Sequence, residues 1–245
     1  MPKSLSIIIP AYNEEKRLPS TLTRVADYVS GGEYDFVEIV VVDDGSRDGT
    51  PALVEEFAQR HKTIRLLQNP GNRGKGYSVR HGMLKAQGDW ALFTDADLSA
   101  PIEELDKLLD AVERNGAAVA FGSRAVDRSL VGVHQPAFRE YAGRFFNVVM
   151  RLATGLKFRD TQCGFKLFRK DAAQAIFSRQ QLERFGFDVE ALYIAERLGY
   201  KAVEVPVRWN DVAGSKVGTL QGLDGFVDLL RVRRHDWAGR YKRDA

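Results

Sequence analysis

The 245-residue chain is poor in the residues that carry thiol and soft-metal chemistry, with one cysteine and four histidines. A lone cysteine forms no internal disulfide, which fits a reducing compartment, and so few scattered histidines argue against a zinc site. Cys163, next to Gly164, reads as a buried thiol rather than a nucleophile. Long apolar runs are also missing. Leu5 to Ile9 is too short for a signal peptide and is cut by Pro10, and no stretch reaches the ~18 residues of a membrane span. A soluble or peripheral protein of the cytoplasm is therefore expected. Nor is there an excess of one charge. A net charge of +3 is too small to argue for nucleic acid, and no nucleic-acid partner is expected. Basic residues do gather in the last fifteen positions, as Arg231, Arg233, Arg234, Arg240, Lys242 and Arg243.

What is present is an alternation of short β-branched runs with amphipathic stretches. Leu5–Pro10 and Val37–Asp43 read as buried parallel strands, and Ile64–Leu67, Trp90–Thr94 and Val119–Gly122 as further strands. Between the first two, Leu18, Leu22, Val25, Ala26 and Val29 recur at helical spacing. Thr50-Pro51 signals the start of a second helix, with Thr50 as its N-cap, and Pro101 to Val112 forms another. This rhythm predicts a doubly wound, mainly parallel sheet with helices on both faces and ligands at the carboxyl ends of the strands. After Gly122 a polar loop leads to a long helix over 136–154. The pattern then resumes with a strand over Gly164–Phe168, a helix over Val189–Leu198 and a strand over Ala202–Val207.

Two familiar phosphate motifs are excluded. Gly71, Gly74 and Gly76 are spaced GxxGxG, not GxGxxG, and follow the third strand rather than the first. Tyr77 stands where a P-loop would place its lysine. The turn after the first strand, Pro-Ala-Tyr-Asn-Glu-Glu, holds no glycine that would let a pyrophosphate approach the backbone. The strand ends carry carboxylates instead: Asp43-Asp44 after the second strand and Asp95-Ala96-Asp97 after the fourth. Residues two apart in extended chain project to one side, so Asp95 and Asp97 offer converging oxygens suited to Mg²⁺ or Mn²⁺ shared with a diphosphate.

IIIPAYNEE, VVDDGSRDGT, NRGKG and DADLSAP, in that order, resemble the donor-binding half of a family 2 glycosyltransferase of the GT-A, Rossmann-like fold. FGSR (Phe121–Arg124), RDTQCGFKLF (Arg159–Phe168) and WNDVAGSKV (Trp209–Val217) extend the likeness to polyprenyl- and dolichyl-phosphate sugar synthases, particularly the β-glucosyltransferases. The resemblance implies one domain over 1–245, with a nucleotide-sugar half (1–122), an acceptor-side half (123–219) and an amphipathic, basic segment (220–245). It assigns Pro10, Ala11, Tyr12 and Glu14 to the nucleotide pocket, Asp44 to the base or ribose, Lys75 to the nucleotide, Asp95 to ribose or metal, and Asp97 to the metal. Asp160 matches the candidate catalytic base, and Arg124, Arg139 and Lys216 are candidates to hold a phosphate acceptor. Ser99 departs from the glutamine of mannosyl relatives and is placed as a cap for the helix near Pro101.

The implied reaction is inverting transfer of a hexose from a nucleotide sugar to a lipid phosphate, with glucose from UDP-glucose placed first. GDP-mannose as donor, a saccharide or protein hydroxyl as acceptor, and a non-catalytic nucleotide-sugar binding module are the alternatives. The helix over 136–154 aligns Phe138, Tyr141, Ala142, Phe145, Val148, Val149 and Leu152 on one stripe, with Arg144 and Arg151 opposite. That stripe suits either core packing or an anionic membrane surface. Leu223, Phe226, Val227 and Leu230 before the C-terminal arginines and Trp237 pose the same alternatives, a peripheral membrane contact or a solvated basic tail after a packed helix.

Overall fold

A computed structural model describes residues 4–133, 137–212 and 219–242, apart from the side chains of 137–140, 142–144 and 219–224. The strands are β1 (Ser4–Ala11), β2 (Phe36–Asp43), β3 (Ile64–Gln68), β4 (Trp90–Thr94), β5 (Val119–Ser123), β6 (Val131–Val133), β7 (Phe165–Arg169), β8 (Ala202–Pro206) and β9 (Trp209–Asn210). The helices are α1 (Leu18–Ser30), α2 (Thr50–Arg60), α3 (Lys75–Lys85), α4 (Leu105–Asn115), α5 (Ala137–Thr154), α6 (Lys170–Arg179), α7 (Phe187–Arg197) and α8 (Thr219–Trp237).

Seven strands form one sheet in the order β3-β2-β1-β4-β7-β5-β8, and β6 pairs with β9 in a small second sheet. Every pair in the large sheet is parallel except those of β7, which runs antiparallel to both β4 and β5. The chain leaves β1 outward to β2 and β3, then returns to place β4 on the other side of β1. That reversal opens a crevice at the carboxyl ends of β1 and β4, where open α/β sheets bind ligands. Because β7 points the other way, its beginning lies at the same end, with Phe165 opposite Thr94. The approach to β7, residues 159–164, is thereby delivered to the crevice.

Alternation along the strands divides the core between the two faces. Leu5, Ile7 and Ile9 of β1 pack with Leu18, Leu22 and Val25 of α1 and Leu105 and Leu108 of α4. Ile8 packs to the other side with Val79 and Met83 of α3, Phe177 of α6 and Leu192 of α7. The expected strands and helices are observed, with adjusted ends. Thr50 is the first residue of α2 rather than its cap, which is Gly49. α3, α6, β6 and β9 were not anticipated, and β6 falls within the stretch read as a polar loop.

Of the apolar stripe of α5, Tyr141, Phe145, Val148 and Leu152 are turned outward, while Val149 packs against the core. Phe146 and Met150 are buried, and Phe146 meets Phe226 of α8 edge-on at 5.3 Å, whereas Phe145 is 64% exposed and Leu152 82% exposed. Tyr141 and Val148 share that open face, and Leu230 and Trp237 of α8 are exposed at 70% and 77%. Phe146 and Met150 fill the core against α8, with Val149 half-buried beside them. Among the described residues no helix is long and apolar enough to cross a membrane.

The close approach of α3 to the sheet gives a stability test. A Cβ on Gly82 would overlap Ile8 Cγ2 and lie 3.0 Å from Val42 Cγ2, both methyls of β-branched side chains with little freedom to yield. Gly82→Ala is expected to lower stability by about 1–3 kcal/mol in urea denaturation, despite alanine's higher helix propensity.

Candidate active site

The loops after β1 and β2 are stitched together by hydrogen bonds. Asn13 holds a left-handed backbone conformation (φ 53°) that asparagine tolerates. Its N–H donates to Ser46 Oγ at 2.9 Å, and its side-chain oxygen accepts from the Arg47 N–H at 2.8 Å. The Glu14 N–H donates to Thr50 Oγ1 at 2.8 Å, and the Asp44 N–H to the Ala11 carbonyl at 2.8 Å. Pro10 and Ala11 end β1 in register with Val42 and Asp43, and Tyr12 is half-buried beyond them. The Glu14 carboxylate is gripped by Arg17 through Nε and Nη2, both at 2.7 Å. The remaining nitrogen, Arg17 Nη1, is buried without a protein acceptor.

Asp44 is buried and shapes the glycine loop. Its Oδ1 accepts from Asn69 Nδ2 and the Arg73 N–H, both at 2.9 Å, and its Oδ2 from the Gly74 N–H at 2.8 Å. This fixes the start of α3, whose first residue is Lys75. The Lys75 ammonium reaches across the crevice to Asp95 Oδ1 at 2.6 Å. Burial alone would depress the Lys75 pKa, but the charges of Asp95 and Asp188 outweigh it and hold the value above that of an ordinary lysine.

After β4 the chain turns sharply. Leu98 takes φ 47°, an uncommon conformation for a bulky residue, and its N–H donates to the Asp95 carbonyl at 3.1 Å. The turn keeps Asp95 and Asp97 close together. Burial and then the like charge of Asp95 raise the Asp97 carboxyl above its ordinary value, against hydrogen bonds from Ser99 and the charge of Arg17. Ser99 therefore differs from its expected role: its N–H donates to Asp97 Oδ1 at 3.0 Å, and no side chain caps the helical turn at Ile102. Among the described residues no group of three or more His, Cys, Asp or Glu gathers to hold a metal.

The approach to β7 forms the other wall. A Cβ on Gly164 would overlap Asp95 Oδ2 and lie 2.6 Å from its Cγ, so glycine is required by the carboxylate itself. Four residues earlier, Asp160 is locked to Arg124. Asp160 Oδ2 accepts from the Arg124 backbone N–H at 3.0 Å and Nε at 2.7 Å, and Oδ1 from Arg124 Nη2 at 2.8 Å and the Gln162 N–H at 3.2 Å. Burial would raise the Asp160 pKa, but the adjacent guanidinium holds it below the usual carboxylate range. Arg124 also lies 5.3 Å from the Trp209 ring and is 29% exposed. Cys163 is buried, and burial followed by the Asp160 charge pushes its thiol up to about 12, so it is inert at neutral pH. Arg139 lies in α5, but its side chain is outside the described residues, as is all of Lys216.

Several participants were not anticipated from the sequence. Lys166 of β7 is fully buried, donates to the Cys163 carbonyl at 2.6 Å and pairs with Asp188 of α7. Asp188 also acts on Lys75 and Asp95, so alternating charges run from beneath the sheet to the crevice. Glu204 of β8 accepts from the N–H groups of Arg159 (2.9 Å) and Asp160 (2.7 Å) and holds that turn. Lys166 and Glu204 sit in strands, where alternation marks only which face a residue occupies. A polar residue inside an otherwise apolar strand was the available signal.

Removal of Arg124 would leave a buried, unpaired carboxylate. Arg124→Ala is expected to cost about 3 kcal/mol at neutral pH by chemical denaturation. The folded pKa of Asp160 lies below its unfolded value of about 3.9, so the pairing contributes fully above that pH and is lost as the pH falls through the folded pKa. The gap between wild type and variant should therefore narrow below about pH 4.

The profile of "Glycosyl transferase family 2" matches residues 6–177. The chain is 40% identical over 249 residues to the dolichyl-phosphate beta-glucosyltransferase of Drosophila melanogaster, covering 95% of this chain and 76% of that protein. It is 38% identical over 236 residues to a dolichyl-phosphate beta-glucosyltransferase of Trichomonas vaginalis, covering 93% and 72%. Among solved structures, glucosyl-3-phosphoglycerate synthase of Mycobacterium tuberculosis, crystallised with Mn²⁺, UDP-glucose and phosphoglyceric acid, superposes with a TM-score of 0.65 at 20% identity, covering 94% and 79%. That likeness is one of fold, the GT-A arrangement of a mainly parallel sheet between helices. With a matching profile over most of its length and relatives well above 30% identity, the chain belongs to glycosyl transferase family 2.

Proposed function

We propose that the chain transfers glucose from UDP-glucose to the phosphate of a polyprenyl or dolichyl phosphate, with inversion. The state of Asp160 carries the choice of acceptor. Its two oxygens accept four hydrogen bonds from Arg124 and Gln162 and its pKa is depressed, so it is poorly equipped to take a proton from a hydroxyl. A phosphate monoester has a second pKa of about 6, is largely ionised at neutral pH, and needs chiefly to be positioned. Arg124, oriented by Asp160 and Trp209 and open on one side, suits an acceptor phosphate, and Arg139 and Lys216 are further candidates by motif position. The names of the relatives favour glucose and a lipid phosphate over the GDP-mannose reading.

On the donor side, Asp95 and Asp97 would hold Mg²⁺ or Mn²⁺, with the remaining positions left to diphosphate and water. The fit rests on two observations: Asp97 is burdened by the charge of Asp95, which a divalent ion would relieve, and Arg17 Nη1 is buried nearby without a protein acceptor. A metal bound there supplies neutralisation of charge on the departing nucleoside diphosphate. Lys75 would approach the same phosphates. Pro10, Ala11, Tyr12 and Glu14 would bound the nucleotide, with Asp44 fixing the loop that carries Lys75.

The test incubates labelled UDP-glucose and, separately, GDP-mannose with polyprenyl phosphate, followed by organic extraction. Extractable product from UDP-glucose is expected, abolished by EDTA or by Asp97→Ala, with a rate that falls as the acceptor protonates near pH ~6. Transfer only to saccharide or protein hydroxyls, with no inflection near that pH, would overturn the reading.

A lipid acceptor also gives the outward face of α5 and α8 a partner. Tyr141, Phe145, Val148, Leu152 and Leu230 are exposed, and Arg151, Arg231 and Arg234 are exposed on the same two helices, a combination suited to peripheral contact with an anionic membrane surface. Leu152→Glu combined with Leu230→Glu should markedly reduce co-sedimentation with phosphatidylserine vesicles while leaving UDP affinity unchanged. Equal sedimentation of the variant and wild type would remove the membrane from this reading.

A further inference from the structure

Residues 225–242 of the C-terminal segment are anchored to the core on one side, although Arg231, Arg234, Arg240 and Lys242 are exposed. Val232 and Tyr241 are buried, and the Tyr241 hydroxyl donates to Glu190 Oε1 of α7 at 2.5 Å. Glu190 has no exposed surface, and its carboxylate also accepts from the N–H groups of Gln181 at 2.9 Å and Leu182 at 2.8 Å. Arg240 Nη1 donates to Gln181 Oε1 at 3.0 Å. Further back along α8, Asp228 lies so close to Gly186 that an added Cβ would be 2.5 Å from the aspartate Cβ. Segment 181–186 is thus held from behind at several points by α8 and the residues that follow it.

The front of the same segment is pressed against the loop that carries the donor lysine. The Glu183 carbonyl accepts from the Tyr77 N–H at 3.0 Å, Gln180 Nε2 donates to the Gly76 carbonyl at 2.9 Å, and Arg73 pairs with Glu183. A Cβ on Gly74 would lie 2.6 Å from the Glu183 carbonyl oxygen, and one on Gly76 would lie 2.7 Å from that of Leu182. Backbone meets backbone on both sides of Lys75, so a shift of 181–184 cannot be absorbed by side chains and must move the lysine.

We propose that Tyr241 and Glu190 are positioning residues of the donor site, holding segment 181–184 against Gly74 and Gly76 and thereby fixing Lys75 at Asp95. This rests on the reading of Lys75, Asp95 and Asp97 as a nucleoside-diphosphate site. It also ties that site to α8, whose opposite face carries the exposed Leu230 and Trp237, so that loosening the C-terminal segment weakens donor binding at a distance.

The test titrates UDP with Mn²⁺ into the full chain by calorimetry, for wild type, Tyr241→Phe, Arg240→Ala and Arg197→Ala. Arg197 pairs with Asp236 at 3.1 Å in the same α7–α8 interface, about two turns along α7 from Glu190. Tyr241→Phe and Arg240→Ala should each weaken UDP binding by about three- to tenfold, the span expected for one lost hydrogen bond. Donor KM should rise with kcat retained at saturating donor. Arg197→Ala should lower the melting temperature without changing UDP affinity. Unchanged UDP affinity in both Tyr241→Phe and Arg240→Ala, or an equal loss in Arg197→Ala, would overturn the proposal while leaving the donor site standing. Failure of the wild type to bind UDP would overturn the donor reading and this proposal with it.

Discussion

The contact between Lys75 and Asp95 at the mouth of the sheet is the one around which the crevice is arranged. Asp95 and Asp97 are drawn together by a tight turn, and two carboxylates so placed repel in a medium that screens less than water. An unpaired buried charge costs several kcal/mol, so the fold must bring cations to the same place. It does so by alternation. Lys166 under the sheet faces Asp188, Asp188 acts on Lys75, and Lys75 meets Asp95. The chain of charges is also a chain of elements, because β7, α7, α3 and the end of β4 each contribute one member. Removing Asp188 leaves the fully buried Lys166 without its counter-charge.

The second ion pair, Arg124 with Asp160, is separate in connectivity but meets the first across a short loop. Residues 160–164 run from the Asp160 carboxylate to Gly164, where only the absence of a side chain lets the backbone lie against Asp95. The two walls of the crevice are thus set by one segment whose direction is opposite to that of its neighbours. A parallel strand in that position would have carried its approach to the far end of the sheet. The antiparallel β7 is therefore a requirement of the site, since it brings Asp160 and Gly164 to the carboxyl ends of β1 and β4.

The interplay of cations and carboxylates also separates positioning from chemistry. A carboxylate with four donors on it is a rigid anchor and a weak base, and it suits a nucleophile that arrives already ionised. In the same way the carboxylate of Asp44, held by Asn69, Arg73 and Gly74, acts on the crevice through the backbone it fixes. Rigidity of this kind favours precise placement of two anionic reactants that would otherwise repel each other.

Local chemistry in the sequence was enough to determine the strands of the large sheet, their mainly parallel rhythm and the acidic strand ends. Runs such as LSIIIP and VEIVVVD bury both faces, and the carboxylates that follow them mark the strand ends. Asp95 and Asp97, expected to share a side as residues of an extended segment, are instead brought together by a turn in which the Leu98 N–H donates to the Asp95 carbonyl. It could not determine α3, where Gly76 and Gly82 weaken the helical signal and are demanded by neighbours far away in the chain. The direction of β7 was equally hidden, because a short apolar run reads the same in either sense. The stripe on α5 was legible as amphipathic, but which face met α8 depended on where Phe226 stood. The arginine-rich end left a membrane contact and a solvated tail equally open, and nothing in its sequence showed that Tyr241 closes on Glu190, fifty-one positions earlier. Periodicity and residue type report on what a segment can bury, whereas partners, direction and the use made of a carboxylate are set by contacts between distant parts of the chain, which only the folded structure decides.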